Sequence, residues 1–195
     1  PWLAGATISG GVIAPICLMT GLTLTTGFAA SLLLNLEGLA TAIIAYFFFR
    51  ENIGLRLGIA VVCMTAAGVL LGWDPSTGAL TLSGPLLLLA AGVAWGVDNN
   101  VTRHISSKDS VQISQIKGLV AGSVSLSIAF VLGSGIPADE NLIFALILGS
   151  VSYGLSLVLF IQALQGMGAA RTGAFFSLGP FVGAAVSLVL LKELL

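Results

Sequence analysis

Residues 26–49 read TGFAASLLLNLEGLATAIIAYFFF, with Glu37 as the only charged side chain before Arg50. A helix rises about 1.5 Å per residue, and the hydrocarbon core of a bilayer is ~30 Å thick. About 20 mostly apolar residues therefore cross it, and this stretch is long enough to do so. No backbone group facing lipid can go unpaired, so the run must be helical. Six further stretches meet the same requirement, near 3–22, 54–73, 84–103, 111–133, 141–164 and 169–191. The sequence predicts an all-α, polytopic membrane helix bundle with seven spans.

Composition points the same way. Hydrophobic residues make up 57% of the chain and charged residues 8%, with a mean hydropathy of +1.09. A soluble domain has about 25% charged residues, so this chain has too few to coat a surface facing water. The net charge of −1 offers no basic field for nucleic acid. Cys17 and Cys63 fall inside apolar stretches, where a thiol behaves as a small hydrophobe. No charged n-region and cleavage site frame the first span, which reads as a span rather than a leader. Both ends read as truncations of a longer chain, because apolar runs begin just after Pro1 and end just before Leu195.

The breaks carry turn chemistry. Asp74-Pro75-Ser76-Thr77-Gly78 separates the third and fourth spans, Ser83 with Pro85 starts the fourth, Gly133 to Pro137 ends the fifth and Asp139 can cap the sixth. With loops this short, neighbouring spans run antiparallel. Numbering the loops alternately puts Arg50, Arg56, Arg103, Lys108, Lys117 and Arg171 on one side, against Lys192 on the other, which carries Asp74, Asp139 and Glu140. Basic loops stay in the cytoplasm, so that side is expected to face inward.

Shifting the chain by 142 residues (Thr26 onto Gly168) lays 26–53 over 168–195. Leu36 then meets Leu178, Ala42 meets Ala184, Arg50 meets Lys192 and Glu51 meets Glu193, and upstream Leu22 meets Leu164. Identity is low, yet spans two and seven lie an odd number of crossings apart. The copies are therefore expected to be inverted, a recurring transporter design.

Four stretches taken in order resemble the drug/metabolite transporter superfamily, in its EamA-type branch. They are 31–37 (SLLLNLE), 95–100 (WGVDNN), 117–122 (KGLVAG) and 168–181 (GAARTGAFFSLGPF). The resemblance implies ten helices in two five-helix inverted repeats with cytoplasmic termini. The seven spans would then be helices 3–9, with 1–75 the end of the first repeat (helices 3–5) and 79–195 the second repeat lacking its last helix. Where relatives often carry proline after the Glu37-type position this chain has Gly38, while Pro180 keeps it in the second repeat. A bend at 37–38 is thus not assured.

Glu37 lies near the middle of its span, where a carboxylate costs at least ~2.5 kcal/mol on insertion scales unless it finds a cavity, a partner or a proton. It could contact a substrate amine, couple to protons or tie helices together. Asn35, Trp95 and Tyr153 could line the same path, although packing explains Trp95 and Tyr153 as well. Asp98, Asn99 and Asn100 lie near the cytoplasmic end of the fourth span and Lys117 at similar depth in the fifth. An Asp98–Lys117 ion pair is expected, with an asparagine as bridge, acting either as a cytoplasmic gate or as a static latch. Arg50, Arg103 and Arg171 read as topology anchors. His104 reads as a solvated loop residue, and the small-xxx-small pairs, Gly92/Gly96 and Gly118/Gly122 among them, as helix packing.

These features favour a secondary transporter that moves a small metabolite or drug-like solute by alternating access, with export implied by the resemblance. Its partners would be the solute, the lipid bilayer and protons as a coupling ion, with a homodimer left open as an assembly. The protein would sit as a multi-pass protein in the plasma (inner) membrane. A non-transporting receptor or scaffold is the alternative. No cofactor motif, metal cluster or nucleophile–base pair argues for an enzyme.

Overall fold

The computed structural model describes residues 1–49, 82–135, 139–167 and 178–190, together with 59, 63, 66, 73–74, 79–80, 172 and 175–176. Helix α1 spans Trp2–Leu22, α2 Gly27–Leu33, α3 Leu36–Phe49, α4 Ser83–Ile105 and α5 Ser110–Val131. Helix α6 runs through Asp139–Ile147, Leu148–Leu155 and Ser156–Met167, and α7 spans Gly179–Leu190. A two-residue antiparallel pair (Trp73 opposite Leu80, Asp74 opposite Ala79) flanks the turn expected before α4. The chain is a multi-pass helical membrane protein. Most of the third expected span lies outside the described residues, though Ile59, Cys63 and Ala66 within it are helical.

Capping follows the sequence. Thr26 accepts a hydrogen bond from the Ala29 N–H at 3.2 Å, and Asp109 accepts from the Val111 N–H at 2.8 Å, so each satisfies a donor that a helix start leaves open. At the end of α5, Gly133 takes φ 77°, and the Ser134 N–H reaches back to Ala129 O at 2.9 Å. That closure needs a residue free of Cβ strain.

The expected continuous span over 26–49 is interrupted. Leu34 and Asn35 form a turn between α2 and α3, with i→i+3 bonds from Asn35 N to Leu32 O (3.2 Å) and from Glu37 N to Leu34 O (3.0 Å). The Asn35 amide also donates to Leu32 O at 3.3 Å. A short amide side chain that binds the nearby backbone offers the chain an alternative to helix. The break therefore falls at Asn35, ahead of the Gly38 position, and Glu37 stands in the first turn of α3.

Two other helices change register without breaking. Thr7–Ile13 in α1 and Leu148–Leu155 in α6 are π-helical. In α1 the cause is legible: Pro15 has no N–H to give, and the Ala14 N–H bonds Ser9 O, one residue further back than α geometry would take it.

Helix α4 is the hub. It packs on α1, α2 and α3, while α5 lies against α1, α6 against α5, and α7 against α2. Ala30, Leu33, Leu36 and Leu88 form the buried cluster that joins α2, α3 and α4. Gly92 and Gly96 on α4 allow the close approach of α3: a Cβ there would lie 3.2 Å from Glu37 N and 2.9 Å from Thr41 N, respectively. These small residues do pack helix on helix. Gly118 and Gly122 do not, since a Cβ at either meets nothing within 4 Å among the described residues. Much of α5 and α6 presents bare apolar side chains such as Leu119, Phe144 and Leu148, a surface suited to lipid.

Candidate functional site

Contact with α4 gives the depth of Glu37. Gly92 lies nine residues into α4 (92 − 83), about 14 Å along it, close to the middle of a ~30 Å core. Since the first turn of α3 abuts Gly92, the Glu37 carboxylate enters the bundle near mid-depth. It is half-buried. The Asn99 amide donates to its Oε1 at 2.8 Å and to Thr41 Oγ1 at 3.3 Å. Thr41 in turn donates to Glu37 O at 2.8 Å. Oε2 has no hydrogen-bond partner among the described residues. Asn100 faces the same helix, donating to Thr41 O at 3.0 Å and to Gly96 O at 2.8 Å.

Asp98 turns the other way, toward α1 and α5. Lys117 Nζ lies 2.7 Å from each of its oxygens, and both residues are buried, at 6% and 4% exposure. Thr102 donates to Asp98 Oδ1 at 2.8 Å and accepts from Lys117 at 3.4 Å. All three ammonium donors of Lys117 are thereby used. The asparagines expected as a bridge instead serve α3, and Thr102 takes that place. The pair leans on the α1 backbone: a Cβ on Gly10 would fall 1.9 Å from Asp98 Oδ2. On the same buried face of α5, Ser114 keeps a hydroxyl without a hydrogen bond among the described residues.

Gly10 also joins the aromatic side chains. In the π register its carbonyl would be served by the N–H five residues on, which is Pro15 and has none. Trp95 Nε1 donates to that oxygen at 3.1 Å and Tyr153 Oη at 3.4 Å. An orphaned carbonyl inside a membrane costs several kcal/mol, so these bonds have a physical cause.

Not every expected residue converges. Asn35 binds its own helix end. Arg103 is exposed in the last turn of α4. Arg50 and Arg171 lie outside the described residues, as do Lys192 and Glu193. His104, expected in a loop, belongs to the last turn of α4 and stacks on Trp2 with ring centroids 4.9 Å apart. The sequence reading missed Gly10, Thr41, Thr102 and Gln165. Each threonine follows an acid by four residues, a same-face spacing that could have found it. Gln165 donates to Ser106 O and, at 3.0 Å, to Lys108 O, tying α6 to the α4–α5 loop.

A half-buried carboxylate at mid-depth thus stands beside a broken helix, in a bundle with an apolar exterior. Comparison with known proteins gives the family. Residues 82–195, more than half of the chain, match the EamA-like transporter family, and the chain belongs to that family within the drug/metabolite transporters. It is 36% identical over 188 residues to an uncharacterized transporter of Methanothermobacter thermautotrophicus, covering 93% of this chain and 55% of the relative. The chain thus spans about half the length of that relative. No solved structure matches it.

Proposed function

We propose that the protein works as a secondary carrier, moving a small metabolite or drug-like solute by alternating access, with Glu37 as the substrate or coupling group. In this reading 1–75 and 79–195 are parts of two inverted repeats, the direction is export, the plasma membrane is the site and protons are the coupling ion. The observation that carries it is the Glu37 oxygen left without a hydrogen-bond partner among the described residues, at mid-depth and at the start of a half-helix. Paired irregularities support the repeat. Adding 142 to the π stretch at 7–13 gives 149–155, against an observed Leu148–Leu155. The break ahead of Leu36 has a counterpart ahead of Gly179, where Leu178 N bonds Phe175 O at 3.2 Å in the same i→i+3 manner. Interrupted helices at corresponding positions of two halves are the usual pointer to a transporter's binding site.

Alternating access gives the Asp98–Lys117 pair a role as a cytoplasmic gate, opened when α5 moves relative to α4. The test is solute flux by the whole protein in proteoliposomes, with and without a pH gradient. Glu37→Gln is expected to abolish most flux at near-normal abundance. Wild-type flux from that variant refutes the role of Glu37, and intact partner binding without any flux would favour a receptor or scaffold.

A further inference from the structure

Hydroxyl groups along these helices have a regular habit. Thr7, Ser9, Thr20, Thr41, Ser127 and Ser156 each donate to the carbonyl four residues earlier, at 2.5–2.9 Å. Ser114 departs from it. Its oxygen is closed to solvent and has no hydrogen bond among the described residues, although Ser110 stands four residues before it. The side chain is 8% exposed and belongs to the face of α5 that also buries Ser110, Ile113 and Lys117. A buried hydroxyl left without a partner is costly, and a backbone carbonyl of the same helix is the usual remedy.

The ammonium on the same face has the opposite arrangement. All three hydrogen bonds of Lys117 go to α4: two to the Asp98 oxygens at 2.7 Å and one to Thr102 at 3.4 Å. Movement of α5 away from α4 removes these acceptors together. A bare ammonium at membrane depth is unfavourable, so the movement needs an acceptor that travels with α5. Ser114 meets that need. It lies three residues before Lys117, on the same face and about 4.5 Å nearer the α4–α5 loop, the direction in which a lysine reaches for water. Resting on the gate reading above, we infer that Ser114 is the open-state partner of Lys117: as the pair with Asp98 parts, the ammonium turns back along α5 and donates to the Ser114 oxygen. The closed state leaves that oxygen idle, and the open state uses it.

Acylation of Lys117 by sulfosuccinimidyl acetate reports the opening. It is read by peptide mass spectrometry on the whole protein in nanodiscs, with the exposed Lys108 as internal reference. Lys117 is expected to react slowly in the wild type and about tenfold more slowly in Ser114→Ala, the worth of one hydrogen bond to a charged group. The same variant should melt at or above the wild-type temperature, because it deletes only an unpaired hydroxyl. In a D98N background the sign reverses: the ammonium has lost its carboxylate, so Ser114→Ala should lower the melting temperature further. Where D98N does not fold, Thr102→Val, which removes only the third acceptor, serves in its place. Relief of an unpaired group alone would stabilise both backgrounds alike, so absence of the reversal overturns the assignment. Equal acylation of Lys117 in Ser114→Ala and the wild type also overturns it, and leaves the gate standing. Destabilisation of the wild type by Ser114→Ala does the same, by revealing a partner in the closed state. No acylation of Lys117 in the native wild type, against ready reaction at Lys108 and at both lysines once unfolded in dodecyl sulfate, shows a static latch. That result overturns the gate and the inference with it.

Discussion

Neutralising Asp98 and Lys117 together should harm the protein less than neutralising either alone. Each residue is buried, and each ammonium–oxygen distance is 2.7 Å, so the two charges exist in the bundle only because they face one another. Removing one partner from such a pair costs about 3–5 kcal/mol, because the other charge is left buried and unpaired. D98N keeps the Thr102 bond but strands the ammonium; K117M strands the carboxylate. The double variant D98N/K117M strands neither, and a buried pair replaced by neutral groups of similar shape is often near neutral in stability. A coupling energy of at least ~2 kcal/mol should result, well above the few tenths by which independent sites depart from additivity. A charge swap is the poorer experiment. Asp98 Oδ2 sits where a Gly10 Cβ would be, so a longer side chain at 98 meets the α1 backbone.

The assay is thermal unfolding of the whole protein in nanodiscs, with all four members of the cycle at one lipid composition. Both single variants should lose stability strongly and the double variant should recover most of it. Additive losses would show that the two side chains do not depend on each other, and the gate would lose its basis. Flux adds a second readout: a stable D98N/K117M variant that leaks solute or loses coupling separates a gate from a static latch.

Four further substitutions probe the helices around the pair. Gly10→Ala should destabilise by about 1–3 kcal/mol through overpacking, since its Cβ would overlap Asp98. Gly118→Ala, whose Cβ meets nothing within 4 Å among the described residues, should be neutral or stabilising by up to about 1 kcal/mol from helix propensity, and an equal loss at both sites in melting curves would refute the packing argument. Trp95→Phe removes the 3.1 Å bond to Gly10 and should cost about 0.6 kcal/mol or somewhat more, the usual worth of an interhelical hydrogen bond in a membrane. Tyr153→Phe, with its 3.4 Å bond, should cost less, and the opposite order would show that Tyr153 is the main partner of the carbonyl.

The spans that the described residues show were legible because apolar length is a strong signal and lipid leaves the backbone few choices. The depth of Asp98 and Lys117 along their helices was legible too: each lies about two turns from the short loop that joins the fourth and fifth spans. What escaped was local register. Periodicity sees residues 26–49 as one helix, because the turn at Leu34 and Asn35 interrupts hydrogen bonds without interrupting hydrophobicity. The partners of Asn99 and Asn100 escaped for a related reason. Which of two adjacent amides faces α3 depends on how closely α3 approaches Gly92 and Gly96, a tertiary fact that no spacing within α4 encodes. Thr102 was within reach, four residues beyond Asp98.

The irregularities fall beside the proposed site. The turn at Asn35 puts Glu37 at the start of α3 instead of in mid-helix, where it meets Asn99 and leaves one oxygen open. The π stretch in α1 leaves the Gly10 carbonyl to Trp95 and Tyr153, and brings bare backbone against Asp98. A regular helix would keep each of those backbone groups to itself. Inside a membrane, where such groups cannot turn to water, local departures from helix are tolerated only against protein or a cavity. Here the Gly10 carbonyl is answered by side chains of α4 and α6, and the Leu32 carbonyl at the turn by Asn35 itself. A carrier that rearranges these helices must find those groups other partners in its second state, so its motion is restricted to shifts that exchange one full set of hydrogen bonds for another. Loss of the Trp95–Gly10 contact between inward- and outward-facing states, followed through Trp95 fluorescence in a variant without Trp2 and Trp73, is the direct sign of that exchange. An unchanged signal during turnover would place the moving interface elsewhere in the bundle.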